Sequence, residues 1–199
     1  MIKKINPVVF LIMVLAAVSA IGFTACTGAS ETAKAEAENY TMIVAMRGYS
    51  EAVPKTLADF GDGRGALEAL CFPNVDVVDV ATGEIIGTGE DCLAEVGDGD
   101  NGGVLLTGTT FFNLPEGQLV SRGRTTVQPS NEVAPGSPIT HITGAIPAPG
   151  TDQVISGTGK YGDASGTVRL SGAVDLSSFN GEGTPIGFDC IFEITLRSS

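Results

Sequence analysis

The sequence predicts an all-β fold, an eight-stranded antiparallel up-and-down barrel, over residues 40–199. Three observations carry the prediction. From Tyr40 onward apolar and polar residues alternate with a period of two. No window in that stretch holds a sustained helical period. The composition combines 27 Gly with recurrent Val, Ile and Thr, as expected of short strands joined by tight turns.

Taken in order, the first strand covers Tyr40–Arg47. The segment "EAVPKTLADFGDGRG", Glu51–Gly65, follows, with room for one short turn of helix. Ala66–Val80 and Glu84–Val96 form a hairpin about Ala81-Thr82-Gly83. Gly103–Phe112 follows the glycine-rich turn Gly97–Gly103, and Gln118–Val127 follows Pro115-Glu116-Gly117. Ile139–Ile146 is the sixth strand. In the seventh, Gly166–Leu176, Val168, Leu170, Val174 and Leu176 share one face. The last, "IGFDCIFEITL", puts Phe188, Cys190, Phe192, Ile194 and Leu196 on one face, with Ile191 alone out of place. Closing eight strands into a ring removes exposed sheet edges. A two-sheet sandwich satisfies the same alternation.

Residues 1–25 read as an export signal. Lys3-Lys4 precede an apolar run from Val8 to Phe23. The run ends Phe23-Thr24-Ala25-Cys26, which resembles a bacterial lipobox, with Cys26 as the lipidated residue. Residues 26–39, rich in Ala, Glu, Ser and Thr, read as a flexible tether. The expected location is the cell envelope or the space outside it, with a lipid anchor as the contact with membrane. The net charge is −12, and removing the leader removes two cations, Lys3 and Lys4. Such a surface repels phosphate backbones, so nucleic acid is not an expected partner.

Gly157, Gly159 and Gly162 match the spacing G-x-G-x-x-G of a dinucleotide loop. That pattern binds pyrophosphate only where a helix N-terminus follows. Here an alternating strand follows, so the glycines read as positive-φ positions at a turn and a bulge. Asp98, Asp100 and Asn101 in "GDGDNGG" lack the third ligand and the closing Glu of a calcium loop, and read as a solvated turn. No cofactor or metal is expected.

The segment "ISGTGKYGDASGTVRLSG", Ile155–Gly172, resembles the glycine-rich "GGTGKYxxARGxV" stretch of the allene oxide cyclase and dirigent-like barrel superfamily. "VDVVDVATGEIIGTGEDCL" and "LTGTTFFNLPEGQLVSRGR" resemble that superfamily's hairpins and follow in its order. The resemblance spans about Cys71 to Leu196. It implies an eight-stranded barrel with a pocket at one mouth, an extracellular location, frequent trimers, and cofactor-free cyclisation or radical coupling. The family's Ala-Arg-Gly triplet reads Ala164-Ser165-Gly166 here, and its acidic stretch is represented by Asp76 or Asp79 without the proline.

Chemistry-bearing candidates are few. Asp76, Asp79, His141 and Tyr161 are the acid–base candidates, His141 being the single histidine. Arg122, Arg124 and Arg169 are candidates to grip a carboxylate or enolate. Arg122 and Arg124 share one face by parity, which is either solvated or lines a pocket. No serine-hydrolase elbow or zinc-type cysteine pair is present. With Cys26 lipidated, Cys71, Cys92 and Cys190 remain. The hairpin register brings Cys71 opposite Cys92 if a bulge falls at Pro73, so that pair is the expected disulfide, with Cys190 a free buried thiol.

Three functions compete. The first is a barrel that binds a small, largely apolar molecule in its mouth, supported by seven Phe after the leader. The second is a cofactor-free isomerase or cyclase, or a dirigent-like protein that directs stereochemistry. The third is a structural envelope protein with a filled barrel.

Overall fold

The computed structural model describes residues 39–130, 136–144 and 153–197. The leader, Cys26 and most of the tether lie outside the described residues.

Ten strands run in chain order: β1 (Asn39–Glu51), β2 (Val53–Leu57), β3 (Leu67–Asp79), β4 (Ile85–Asp98), β5 (Val104–Leu114), β6 (Gly117–Pro129), β7 (Ile139–Gly144), β8 (Val154–Gly157), β9 (Ser165–Asp175) and β10 (Pro185–Arg197). Eight of them close into an antiparallel barrel in which sequence neighbours are spatial neighbours, with β2 and β8 as two outer strands. Closure falls on β1. It pairs with β10 from Asn39↔Arg197 to Glu51↔Pro185, and with β3 from Val44↔Asp79 to Arg47↔Asp76. The ring therefore offers no free edge where these pairings run.

The eight expected strands all form. Residues 145–146, the expected end of the sixth, lie outside the described residues. The helical turn expected within Glu51–Gly65 is a correction. Val53–Leu57 is strand β2, which continues the pairing of β1 along β3 from Val53↔Cys71 to Leu57↔Leu67. Pro54 is admissible because the strand is peripheral, so its missing N–H breaks no central ladder.

Strand parity sorts the side chains into two cores. The inward faces contribute Val44, Met46, Phe72, Val75, Val77, Phe112, Leu119, Ile142, Val168, Phe188, Phe192 and Ile194. Two edge-on ring contacts cross the interior: Phe72 to Phe188 at 5.7 Å, between β3 and β10 on either side of β1, and Phe112 to Phe192 at 5.1 Å, between the opposite strands β5 and β10. At Gly89 a Cβ would stand 2.7 Å from Met46 Cε, so the absent side chain is what admits the methionine. The second core lies on the outer wall. Leu57, Leu67, Ala69, Cys71, Cys92 and Ala94 cluster there with Phe111, beneath the segment that joins β2 to β3.

In the β3–β4 hairpin the register shifts between Phe72 and Val75, at Pro73, and Cys71 faces Cys92. The two form a disulfide. Cys190 is a buried free thiol.

Candidate functional site

The interior row Phe72↔Asp91↔Thr110↔Ser121 crosses β3 to β6 in register. It places a carboxylate inside the barrel. Asp91 is buried, and Thr110 Oγ1 donates to its Oδ1 at 2.8 Å. Burial pushes the Asp91 carboxyl up to about 7, against the opposing effect of the Thr110 hydrogen bond. Cys190, on the inward face of β10, has its thiol pushed up to about 12, first by burial and then by the Asp91 charge.

Asp91, Thr110, Ser121, Gln153, Val168 and Phe192 border a cavity of about 30 Å³. That is room for one or two waters. Beside it, among the described residues, β6 changes its partner. Strand β6 pairs with β7 over Thr125–Pro129 and with β8 over Leu119–Ser121. Gln153 spans the interval. Its backbone oxygen accepts from Arg122 N at 2.8 Å, and its N–H donates to Gly166 O at 2.9 Å. Its side-chain Oε1 accepts from Val168 N at 2.7 Å.

Arg122 and Arg124 also border this cavity, but the side chains of the three arginine candidates point to the outer wall by strand parity. Arg122 is buried there under the β2–β3 connection. Its Nε donates to Thr109 Oγ1 at 2.9 Å, Nη1 pairs with Asp62 at 3.1 Å, and the guanidinium lies 4.9 Å from the Phe60 ring centroid. Nη2 is buried without a hydrogen-bond partner. Arg64 of the same connection pairs with Glu95 at 3.1 Å, and Thr107 donates to that carboxylate at 2.7 Å. These bonds hold the Glu95 carboxyl below its ordinary range, Thr107 first. Arg124 and Arg169 are exposed, Arg169 facing Glu193 across β9 and β10.

The acid–base candidates are dispersed. Asp76 is exposed on β3. Asp79 accepts from the N–H groups of Ala81 and Thr82, closing the hairpin turn. Tyr161 is buried at one end of the inner core, and that burial raises its phenol. His141 is exposed on the outer face of β7. The structure does not bring these four together, and the interior carboxylate is one that residue-by-residue inspection passed over. Glu90 lies near the sulfurs of Cys71 and Cys92, but those sulfurs are bonded to each other and Glu90 is paired with Lys55.

The glycines of the G-x-G-x-x-G pattern serve a close crossing. Gly159 has φ +57°, whereas Gly162 has φ −55° in the helical region, which corrects the positive φ expected there. A Cβ at Gly157 would meet Tyr161 O at 2.0 Å.

On the outer wall, β1, β10, β9 and β7 align two rows: Tyr49–Gly187–Asp175–Ile139 and Arg47–Asp189–Ala173–His141. Between the small residues of these rows lies a groove of about 220 Å³. Tyr49 is 69% exposed, and its hydroxyl donates to Asp175 Oδ2 at 3.3 Å. Asp175 also accepts from the N–H of Ser177, and its carboxyl is held below the usual range by Ser177 first.

No protein-family model matches this chain, and neither does any curated protein sequence.

Proposed function

We propose that this protein is an exported, lipid-tethered barrel that is filled with side chains and works through its outer wall as a binding or interaction protein of the cell envelope. The observation that carries this reading is the interior. Phe72, Phe112, Phe188, Phe192 and Met46 occupy it, and the cavity bounded there by described residues is about 30 Å³. A pocket for a drug-sized apolar molecule takes ~300–1,000 Å³. A groove of about 220 Å³ bounded by described residues lies instead on the outside. Motif order together with the eight-stranded barrel supports kinship with the allene oxide cyclase and dirigent-like superfamily. The leader supports lipidation at Cys26.

The test is titration of the full chain with cis-parinaric acid and with an anilinonaphthalene sulfonate dye. A filled barrel gives no saturable fluorescence change. Saturable binding tighter than about 10 μM that is altered in Phe192→Ala would move the function into the barrel.

A second reading has its own observation. Asp91 is a carboxyl poised near neutral pH within an apolar enclosure, which is the environment of a general acid–base in cofactor-free isomerisation. On that reading turnover of an enolisable or epoxide substrate shows a pH step near 7 that vanishes in Asp91→Asn. A screen without such a step removes it.

A further inference from the structure

We infer that the outer-wall groove beside Tyr49 is a binding site for one ring of a neutral sugar chain. The inference rests on the reading that this protein works through its outer wall, and it names the ligand class.

The platform comes first. Tyr49 follows Gly48, whose φ of +126° is a conformation suited to glycine. Across the strand pair stands Gly187, and a Cβ there would meet Tyr49 Cε1 at 2.9 Å and Cζ at 3.1 Å. The ring therefore lies over the glycine, close against the sheet. Its hydroxyl is held by Asp175. An aromatic ring packed against the sheet on one face, yet 69% exposed, presents its other face for stacking.

Size and polarity choose the ligand. The groove, at about 220 Å³, falls below the ~300–1,000 Å³ typical of drug-sized ligands, so it takes a single ring with its neighbours in solvent. It is bordered by Tyr49, Ile139, Ala173, Asp175 and Asp189, with the glycines Gly48 and Gly187 beside them. By register Arg47 and His141 stand at the ends of the adjoining row. This combines an apolar face to cover C–H surface with acceptors and donors at the margin for hydroxyls. A flat nucleobase shares the stacking chemistry but arrives with phosphate, which the net charge of −12 repels. A small cation shares the carboxylate chemistry, but Asp189 is already neutralised by Arg47 at 2.9 Å. A neutral pyranose ring satisfies both the stack and the mixed rim.

The experiment is a heteronuclear NMR titration of the full chain with cellohexaose, xylohexaose and chitohexaose, each up to about 10 mM. At least one of them shifts amides around Tyr49, Ala173 and Gly187 saturably, with Kd about 0.1–1 mM. Tyr49→Ala weakens that binding at least about tenfold. Tyr49→Phe, which keeps the ring and loses its tether, weakens it about two- to threefold. Tyr40→Ala, removing an exposed tyrosine elsewhere, leaves it unchanged, and circular dichroism confirms that each variant is folded. The inference is overturned by no saturable shift with any of the three glycans. It is equally overturned by shifts that persist in Tyr49→Ala, or by tetramethylammonium binding in the groove where the glycans do not. Failure here with no uptake of the apolar dyes removes the sugar and leaves the filled-barrel reading standing; uptake of the dyes removes that reading itself.

Discussion

Arg122 and Asp62 are 60 residues apart in sequence and bonded in the structure, Nη1 lying 3.1 Å from Oδ1 and 3.2 Å from Oδ2. The arginine side chain is 1% exposed and the aspartate 15%. Without Asp62 the guanidinium would keep Thr109 and the Phe60 ring but lose its counter-charge, while Nη2 already lacks a partner. Asp62→Ala is therefore expected to destabilise by about 3–5 kcal/mol, and Asp62→Leu combined with Arg122→Met to recover most of that loss. Urea unfolding of the two variants measures both. Equal stability of Asp62→Ala and the parent chain would mean that the β2–β3 connection does not lie on the wall as described.

The disulfide closes a loop with a sequence separation of 21. In the chain-entropy model this contributes about 3 kcal/mol. Cys71→Ala with Cys92→Ala should lower the urea midpoint accordingly, and non-reducing peptide mapping should recover Cys71 linked to Cys92. A bond that includes Cys190 would contradict the register.

Asp91 makes stability depend on pH with a definite sign. Its folded pKa of about 7 lies above the ordinary 3.8, so the native state holds its proton longer than the unfolded chain. This contribution is fully present below about pH 4 and is lost as pH rises through 7, by on the order of 4 kcal/mol. Asp91→Asn, isosteric and neutral, should flatten that part of the profile and exceed the parent in stability at pH 8. Parallel pH profiles for the two proteins would show that the carboxyl is not held in the apolar interior.

Two glycines of one motif should behave oppositely on conversion to alanine. Gly157→Ala drives a Cβ to 2.0 Å from a backbone oxygen that cannot yield cheaply, and should cost at least about 3 kcal/mol by the strain of overpacking. Gly162 has helical φ and its nearest neighbour at 3.5 Å, so Gly162→Ala should be neutral or stabilise by about 0.4–1 kcal/mol through the unfolded chain. Thermal melts of the two variants compare them directly.

The barrel strands were legible because each is long enough for alternation to repeat. β2 and β8 have five and four residues, too few to show a period, and Pro54 argues against a strand at all. The site was harder to read. In "GEDCL" the carboxylates Glu90 and Asp91 are adjacent, so composition does not say which turns inward. Cys92 does: once it bonds Cys71 on the outer wall, Asp91 must face the interior. The same parity argument correctly placed Arg122 and Arg124 on one face, yet could not tell wall from pocket, because the Asp62 that covers Arg122 arrives from a loop far away in sequence. Tyr49 was missed for a simpler reason. The predicted first strand stopped at Arg47, two residues short of it, and Gly48 disguised the continuation.

Gln153 bridges β6 and β9 with its backbone, at Arg122 N and Gly166 O, and with its side chain, whose Oε1 accepts from Val168 N. A backbone seam has the same chemistry whatever residues occupy it, so substitution rarely opens it. A side-chain seam is written in the genetic code. One codon change, Gln153 to Leu or Glu, would alter the acceptor that Val168 meets and leave the rest of the ring intact. That one contact across the wall can therefore be lost in a single mutational step, without insertion or deletion.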